Sequence, residues 1–242
     1  MNCYMRKKER ALFAIQKLTE RYPDAICSLT YTDPLQLLIA TRLSAQCTDA
    51  RVNMVTPALF ERFPTLDAFA DASTDEVGEY IRSCGLYKTK ARDIVAMANM
   101  LRDEFGGVIP DTVEELVKLP GVGRKTANLV AGDIYGRPAV VADTHCIRIS
   151  NRLGLCDTKD PYKVELQLKK LLPPEESNSF CHRLVLFGRD VCSARSPRCA
   201  VCPLQEVCPS CEAITPPPAA GGEAAPSPKK KAASGKPAAP QD

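Results

Sequence analysis

Leu116-Val-Lys-Leu-Pro-Gly-Val-Gly-Arg-Lys-Thr-Ala-Asn128 is the stretch that decides the fold. A short helix opened by Thr112-Val-Glu-Glu115, a capping-box pattern, runs to about Leu119. Pro120-Gly121-Val122-Gly123 then makes a tight turn, with glycines available for positive φ. A second helix follows from Arg124 to about Tyr135, its apolar stripe formed by Ala127, Val130, Ala131 and Ile134. The first backbone N–H groups of that second helix have no intrahelical partner and lie beside glycines that permit close approach, which makes an anion site suited to a phosphate. Two look-alikes fail. A Walker loop needs Gly directly before Lys, where Arg124 stands, and a dinucleotide fingerprint needs a third Gly where Thr126 stands. Lys125 lies off the apolar stripe, against the positive end of the helix dipole, where a cation is disfavoured.

Outward from the hairpin the pattern is helical nearly everywhere. Asp33-Pro34 reads as an N-cap with Pro at the first helical position, opening Leu35 to Gln46. Thr48 opens a run to Phe63, Ser73-Thr-Asp-Glu76 caps one to Ile81, and Thr89 starts a long amphipathic run to Phe105 that Gly106-Gly107 stops. Asp143 is a good N-cap for Thr144 to Arg152, and Asp160-Pro161 repeats the cap-and-proline signature before Tyr162 to Leu172. Ala139-Val-Val-Ala142 is the clearest run of strand length, and it is isolated. The fold class is all-α, with about ten helices.

The 242 residues are 45% hydrophobic and 25% charged, enough for a real core and too much for wholesale disorder. No window approaches the apolar length of a membrane span, and the charged, amphipathic Met1 to Leu18 is no secretory signal. The chain is expected in the cytoplasm, where thiols stay reduced, so its 12 Cys need a reason other than disulfides. The segment 213–242 holds nine Ala, seven Pro, three Gly and no aromatic residue; it is read as a disordered tail in which Lys229, Lys230 and Lys231 serve solubility. Net charge is +3, so a polyanion partner requires basic groups segregated on one face.

Cys192, Cys199, Cys202 and Cys208 stand in a C-x6-C-x2-C-x5-C spacing. Four thiolates so close in sequence can wrap one metal centre. Zinc competes for such sets, but usually through two short Cys-x-x-Cys clips, and only Cys199 and Cys202 make one here. The longer flanking spacings suit a [4Fe–4S] cubane. Cys211 lies outside the pattern and has no role. Cys27, Cys47, Cys84, Cys146, Cys156 and Cys181 read as packing residues.

Leu119-Pro-Gly-Val-Gly-Arg-Lys-Thr-Ala-Asn128, then Val141-Ala-Asp-Thr-His145, then the Cys quartet, together resemble the endonuclease III family, the iron–sulfur DNA glycosylases of the helix-hairpin-helix superfamily. The resemblance covers roughly residues 5–211, with the motifs in order. It implies a base excision repair enzyme, a bifunctional DNA glycosylase and apurinic/apyrimidinic lyase for oxidised or ring-damaged pyrimidines. It implies two lobes: a six-helix barrel over 24–137 carrying the hairpin, and an iron–sulfur lobe of 1–23 with 138–212. It implies a [4Fe–4S] cluster on the quartet, double-stranded DNA as partner, a monomer, no membrane, and a bacterial-type, nucleoid-associated location.

The resemblance also assigns roles. Lys125 is the amine nucleophile, and Asp143 the carboxylate that stabilises positive charge and moves protons. Gln46 and Leu86 fill the space left by a flipped base. Gly121 and Gly123 meet phosphate, and His145 at most touches DNA. Arg195 and Arg198, in a loop between two ligands, contact DNA phosphates and give a nearly neutral chain a basic face. The related adenine-mispair glycosylases share hairpin and cluster but lack a Lys at this position and carry a further C-terminal domain. A non-catalytic DNA-binding module would have no need of both Lys125 and Asp143, and a zinc-bound scaffold would lack the iron chromophore.

Overall fold

A computed structural model describes residues 5–211 of the chain. The segment expected to be disordered, 213–242, lies outside the described residues, with Lys229, Lys230 and Lys231. Among the described residues there are eleven α-helices and no strand. They are α1 (Lys7–Arg21), α2 (Pro34–Leu43), α3 (Asp49–Arg62), α4 (Leu66–Ala70), α5 (Thr74–Tyr80) and α6 (Tyr87–Glu104). The hairpin helices α7 (Val113–Leu116) and α8 (Arg124–Tyr135) come next, then α9 (Thr144–Arg152), α10 (Pro161–Leu171) and α11 (Ser177–Asp190).

The starts follow from side-chain caps. Asp33, Thr48, Ser73, Thr112, Asp143 and Asp160 each accept a hydrogen bond from a backbone N–H of the first turn they open, which satisfies donors a helix start otherwise leaves unpaired. Four expectations change. α2 stops at Leu43, so Gln46 lies beyond the helix, in the left-handed region at φ 55°. α6 begins at Tyr87 rather than Thr89, because Gly85 (φ 68°) and Leu86 (φ 47°) turn the chain directly into the helix without a side-chain cap. The α-helical part of the first hairpin helix is one turn, ending at Leu116. Residues 139–142 are an irregular connection rather than a strand, with Ala139, Val140 and Val141 buried.

The helices close around two hydrophobic cores. One gathers Leu37, Leu38, Val52, Leu59, Phe69, Ile94 and Leu101 with their neighbours, from α2 through α8. Seven helices contribute, and apart from the four-residue α7 six of them wall this lobe. The other joins Ala11, Ala14 and Leu18 of α1 to α9, α10, α11 and the 3-10 turn Gln205–Val207. The helix nearest the N-terminus thereby packs with the C-terminal ones.

α8 belongs to both cores. Ala127, Val130 and Ala131 are buried in the first, while Leu129 packs against the second. Gly132 lets α11 approach, since a Cβ there would stand 2.6 Å from Asn178 Oδ1. At the next residue, Asp133 Oδ1 accepts from Asn178 Nδ2 and His182 Nε2, both at 2.7 Å. At the other end of α8, Arg124 donates to the carboxylate of Glu165 on α10 at 2.7 and 2.9 Å. Lys169 Nζ and Asn128 Nδ2 donate to the same group at 2.8 and 3.1 Å.

Burial by itself raises the Glu165 carboxyl, but the hydrogen bonds and charges of Arg124 and Lys169 outweigh it and hold the group below the ordinary carboxylate value. A depressed native value stabilises the fold above the unfolded value of about 4.3, and that contribution is withdrawn as pH falls through the native value. Glu165→Gln should therefore lower stability at neutral pH and flatten the acid limb of the stability curve. The loss expected is about 3 kcal/mol, the low end for a broken buried pair, because Arg124 and Lys169 are each 36% open to water. Denaturant melts from pH 3 to 8 check both statements.

Candidate functional site

Two helix starts and two left-handed residues form the candidate site. Gly123 precedes α8 without any side-chain cap, in extended backbone at φ −88°. It needs no glycine for its dihedrals; what it supplies is open space where a Cβ would be. Gly121 does need one: its φ is 75°, and a Cβ would meet Arg42 Nε at 2.6 Å and Asp93 Cβ at 2.9 Å. Arg42 is pinned there by Asp93, at 3.0 and 2.6 Å. The first backbone N–H groups of α8 thus point to solvent past a bare turn, an arrangement that accepts an anion.

Lys125 is exposed on this first turn and makes no hydrogen bond or ion pair among the described residues. Its neighbour is committed elsewhere, since Arg124 is held by Glu165 and stacks 4.6 Å from the Tyr162 ring centroid. Asp143 caps α9, its Oδ1 accepting from Cys146 N at 2.7 Å, and stays half-buried. The capping bond leaves the carboxylate oriented by backbone.

His145 stands two residues on, and the structure brings the other groups together around it. Burial lowers its pKa; the Asp143 carboxylate opposes that, and the Arg148, Arg189 and Lys125 cations reinforce it. The charges of Lys125 and Asp143 are therefore both close enough to act on one ring. Arg148 Nη2 lies 3.2 Å from His145 Nδ1. A guanidinium only donates, so the neutral ring accepts at Nδ1 and carries its proton on Nε2. Gly188 of α11 passes so close that a Cβ would sit 2.3 Å from that Nδ1.

Gln46 and Leu86 are the only non-glycine residues with positive φ among the described ones. Both are exposed, Leu86 by 59%. Left-handed backbone at a non-glycine residue persists where the surroundings impose it. Nothing in the sequence distinguishes these positions, because neither Gln nor Leu is a turn residue.

The thiols of Cys192, Cys199, Cys202 and Cys208 line one cavity with Ile149, Phe187 and Leu204, and Cys211 lines it too. No three His, Cys, Asp or Glu among the described residues close up tightly enough to hold a single metal ion. The quartet surrounds a space instead, as a polynuclear group requires. Burial pushes the Cys202 thiol up to about 11, and raises Cys208, with the other quartet thiols adding to both. Such thiols ligate only when a metal displaces their protons. The donor set and its cavity fit an iron–sulfur cluster. Arg152, at the end of α9, donates to Cys192 Sγ at 3.2 Å and to Ser193 O at 2.7 Å, and Arg148 donates to Cys192 O at 2.9 Å. The remaining cysteines pack as expected: Cys84, Cys146, Cys156 and Cys181 are buried, Cys27 and Cys47 half-buried.

The two arginines of the quartet loop differ. Arg195 is exposed and makes no hydrogen bond or ion pair among the described residues. Arg198 donates to Asp190 O at 3.0 Å and pairs with the Asp190 carboxylate, which Arg21 also engages, so its guanidinium is tied down within the chain.

The HhH-GPD superfamily of base excision DNA repair proteins matches residues 39–174, and the iron-sulfur binding domain of endonuclease III matches 192–208. The chain is 47% identical over 208 residues to endonuclease III of Synechocystis, covering 86% of this chain and 95% of that one. Identity to the Bacillus subtilis endonuclease III is 44% (81% and 90% covered), and to that of Escherichia coli K12 37% (83% and 95%). Among solved structures, a trapped endonuclease III–DNA covalent intermediate superposes with a TM-score of 0.81 at 44% identity, covering 86% of this chain and 99% of that one. A thermostable thymine-DNA glycosylase at 24% identity shares the fold, with a TM-score of 0.75 and 86% and 98% covered. The hairpin with its unpaired Lys125, the carboxylate that caps α9 and the four thiols around one cavity all lie within the matched residues, and the chain belongs to the endonuclease III family of HhH-GPD base excision DNA repair proteins.

Proposed function

We propose that the chain excises oxidised or ring-damaged pyrimidines from double-stranded DNA through Lys125 and Asp143, and then nicks the strand. The class of activity is that of its family: a DNA glycosylase and apurinic/apyrimidinic lyase carrying a [4Fe–4S] cluster. The observation that carries the residue roles is an unpaired Lys125 on an uncapped helix start, with a backbone-held Asp143 whose charge acts on the same His145 ring.

In this reading a phosphate seats on the first N–H groups of α8 beside Gly121 and Gly123. The damaged nucleotide is flipped out, with Gln46 and Leu86 filling the gap. Asp143 takes a proton from the Lys125 ammonium. The free Nζ attacks C1′, the C1′–N bond breaks, and the base leaves with a proton. The Nζ lone pair then expels O4′, which takes a proton as the C1′–O4′ bond breaks and the sugar ring opens; the protonated imine so formed makes the C2′ proton acidic, loss of that proton expels the 3′ phosphate oxygen, and water then hydrolyses the imine and frees Lys125. Asp143 stabilises the positive charge that passes through the sugar. His145, with its proton on Nε2, is a donor for a nearby DNA oxygen.

Cys192, Cys199, Cys202 and Cys208 hold the cluster, which ties the C-terminal turns together; the proposed chemistry uses no electron from it. The barrel lobe is taken as 24–137 and the second as 1–23 with 138–212. The buried residues of the first core, Leu29 to Ala131, fall within the former, and those of the second within the latter. No helix among the described residues is long and apolar enough to cross a membrane. We place the protein in the bacterial cytoplasm at the nucleoid, as a monomer, on the strength of its DNA substrate.

Three measurements test these assignments. Lys125→Gln should abolish the borohydride-trapped adduct on an abasic duplex and the strand nick while keeping DNA affinity, since it removes no core contact. Asp143→Asn should slow base release more than binding, and lose up to about 1 kcal/mol through altered capping. A trapped adduct with Lys125→Gln would identify another amine as the nucleophile. Cys199→Ser should lose iron and visible absorbance together with much of the soluble yield; unchanged iron in soluble protein would overturn the ligand set. Arg195→Ala should lower the salt slope of DNA binding by roughly 0.9, and Arg198→Ala by less, because its guanidinium is already held by Asp190. Equal slopes for the two variants would contradict the difference between these side chains.

A further inference from the structure

Lys90, on α6, has no exposed surface. Burying an ammonium is unfavourable unless its protons are taken up, and among the described residues Lys90 forms no ion pair. Its Nζ donates instead to two backbone carbonyls, Leu43 O at 2.7 Å and Cys84 O at 2.9 Å. Leu43 is the last residue of α2, where helical carbonyls lack partners and a cation is favoured. Cys84 ends the 3-10 turn Arg82–Cys84. Three residues beyond Leu43 stands Gln46, and two beyond Cys84 stands Leu86. One buried cation thus anchors the roots of both loops whose tips are left-handed and exposed. The Cys47 and Cys84 side chains meet beside it, a second link between the same loops. A Met would fill this volume without desolvating a charge, so stability alone does not call for Lys here.

We infer that Lys90 is a positioning residue for base flipping: it clips the Gln46 loop to the Leu86 loop, so that the two side chains enter the duplex as one rigid wedge. This rests on the proposed inserting roles of Gln46 and Leu86. Preorganisation of this kind acts on the step that opens the duplex and leaves the lyase step untouched.

Lys90→Met and Lys90→Arg are compared with the unaltered protein on two substrates. One is a duplex bearing thymine glycol, which must be flipped; the other is a single-stranded oligonucleotide with an abasic site, which needs no wedge. Lys90→Met should slow excision from the duplex on the order of tenfold to a hundredfold. It should leave single-strand cleavage within about twofold and cluster absorbance unchanged, and 2-aminopurine beside the lesion should lose its unstacking signal. Lys90→Arg, which keeps donors for both carbonyls, should recover part of the excision rate. A parallel fall on both substrates would make Lys90 merely structural, and no fall on either would also overturn the inference. Gln46→Ala and Leu86→Ala separate the two readings. If they leave duplex excision intact, the wedge itself is wrong; if they slow it and Lys90→Met does not, the clip is wrong. Should Lys90→Met fail to fold, hydrogen exchange on the unaltered protein decides: amides at 44–47 and 85–87 should open at one rate, and two unrelated rates would overturn the clip.

Discussion

The carboxylate of Glu165 fixes the first turn of α8, and the site depends on where that turn sits. It is almost wholly buried and is satisfied by Arg124, Asn128 and Lys169 at once. A buried charge tolerates only partners that complete it, so Arg124 is drawn to the α10 side and stacked on Tyr162. Successive residues of a helix project about 100° apart. Fixing Arg124 there turns Lys125 away from α10, free of any ion pair, beside the bare Gly123 turn. The same helix presents Ala127 and Val130 to one core and Leu129 to the other, so the placement of Lys125 depends on the seating of both lobes.

α9 has the complementary task. Its first residues are set by the Asp143 cap, its middle by Arg148 and its end by Arg152, both of which reach Cys192 or the backbone after it. One short helix therefore runs from the Asp143 carboxylate to the quartet. A cluster seated among those thiols holds the far end of α9 in place, and Asp143 with it. In the proposed reaction the cluster's part is therefore mechanical, through the placing of Asp143.

Much of this was legible in the sequence because caps and glycines are local signals. Asp33, Thr48, Ser73, Thr112, Asp143 and Asp160 all begin helices by accepting backbone N–H bonds, which needs only one side chain and its next few neighbours. Helix α4 carried the same signal in Thr65 and was passed over because the run is so short. Helix α11 gave none: Glu176 stands at its start in helical backbone and makes no side-chain cap, so tertiary packing against α9 and α1 sets its beginning. Leu86 is the sharper lesson. The turn before it is held by Lys90, whose other carbonyl partner, Leu43, is distant in the chain, and a lysine inside a mixed run reads as solvent-facing. Arg198 was read with Arg195 as a free cation because the sequence does not reveal that Asp190 folds back onto it. The hairpin motif and the quartet spacing carried more than the caps, since each fixes both a shape and a chemistry.

Gly188 carries a consequence of a different kind. It touches no substrate in the proposed reaction and holds no metal, yet the crossing of α9 and α11 leaves its Cβ position occupied by the His145 ring, with Arg148 Nη2 only 2.8 Å away. Even the smallest side chain there would displace the two groups that link the α9 start to the quartet. The set of amino acids this position admits has a single member, so among related chains position 188 should drift as little as the nucleophile does, for reasons of space rather than chemistry. An invariant residue in this fold is thus no guide to reactivity until the room around it has been measured.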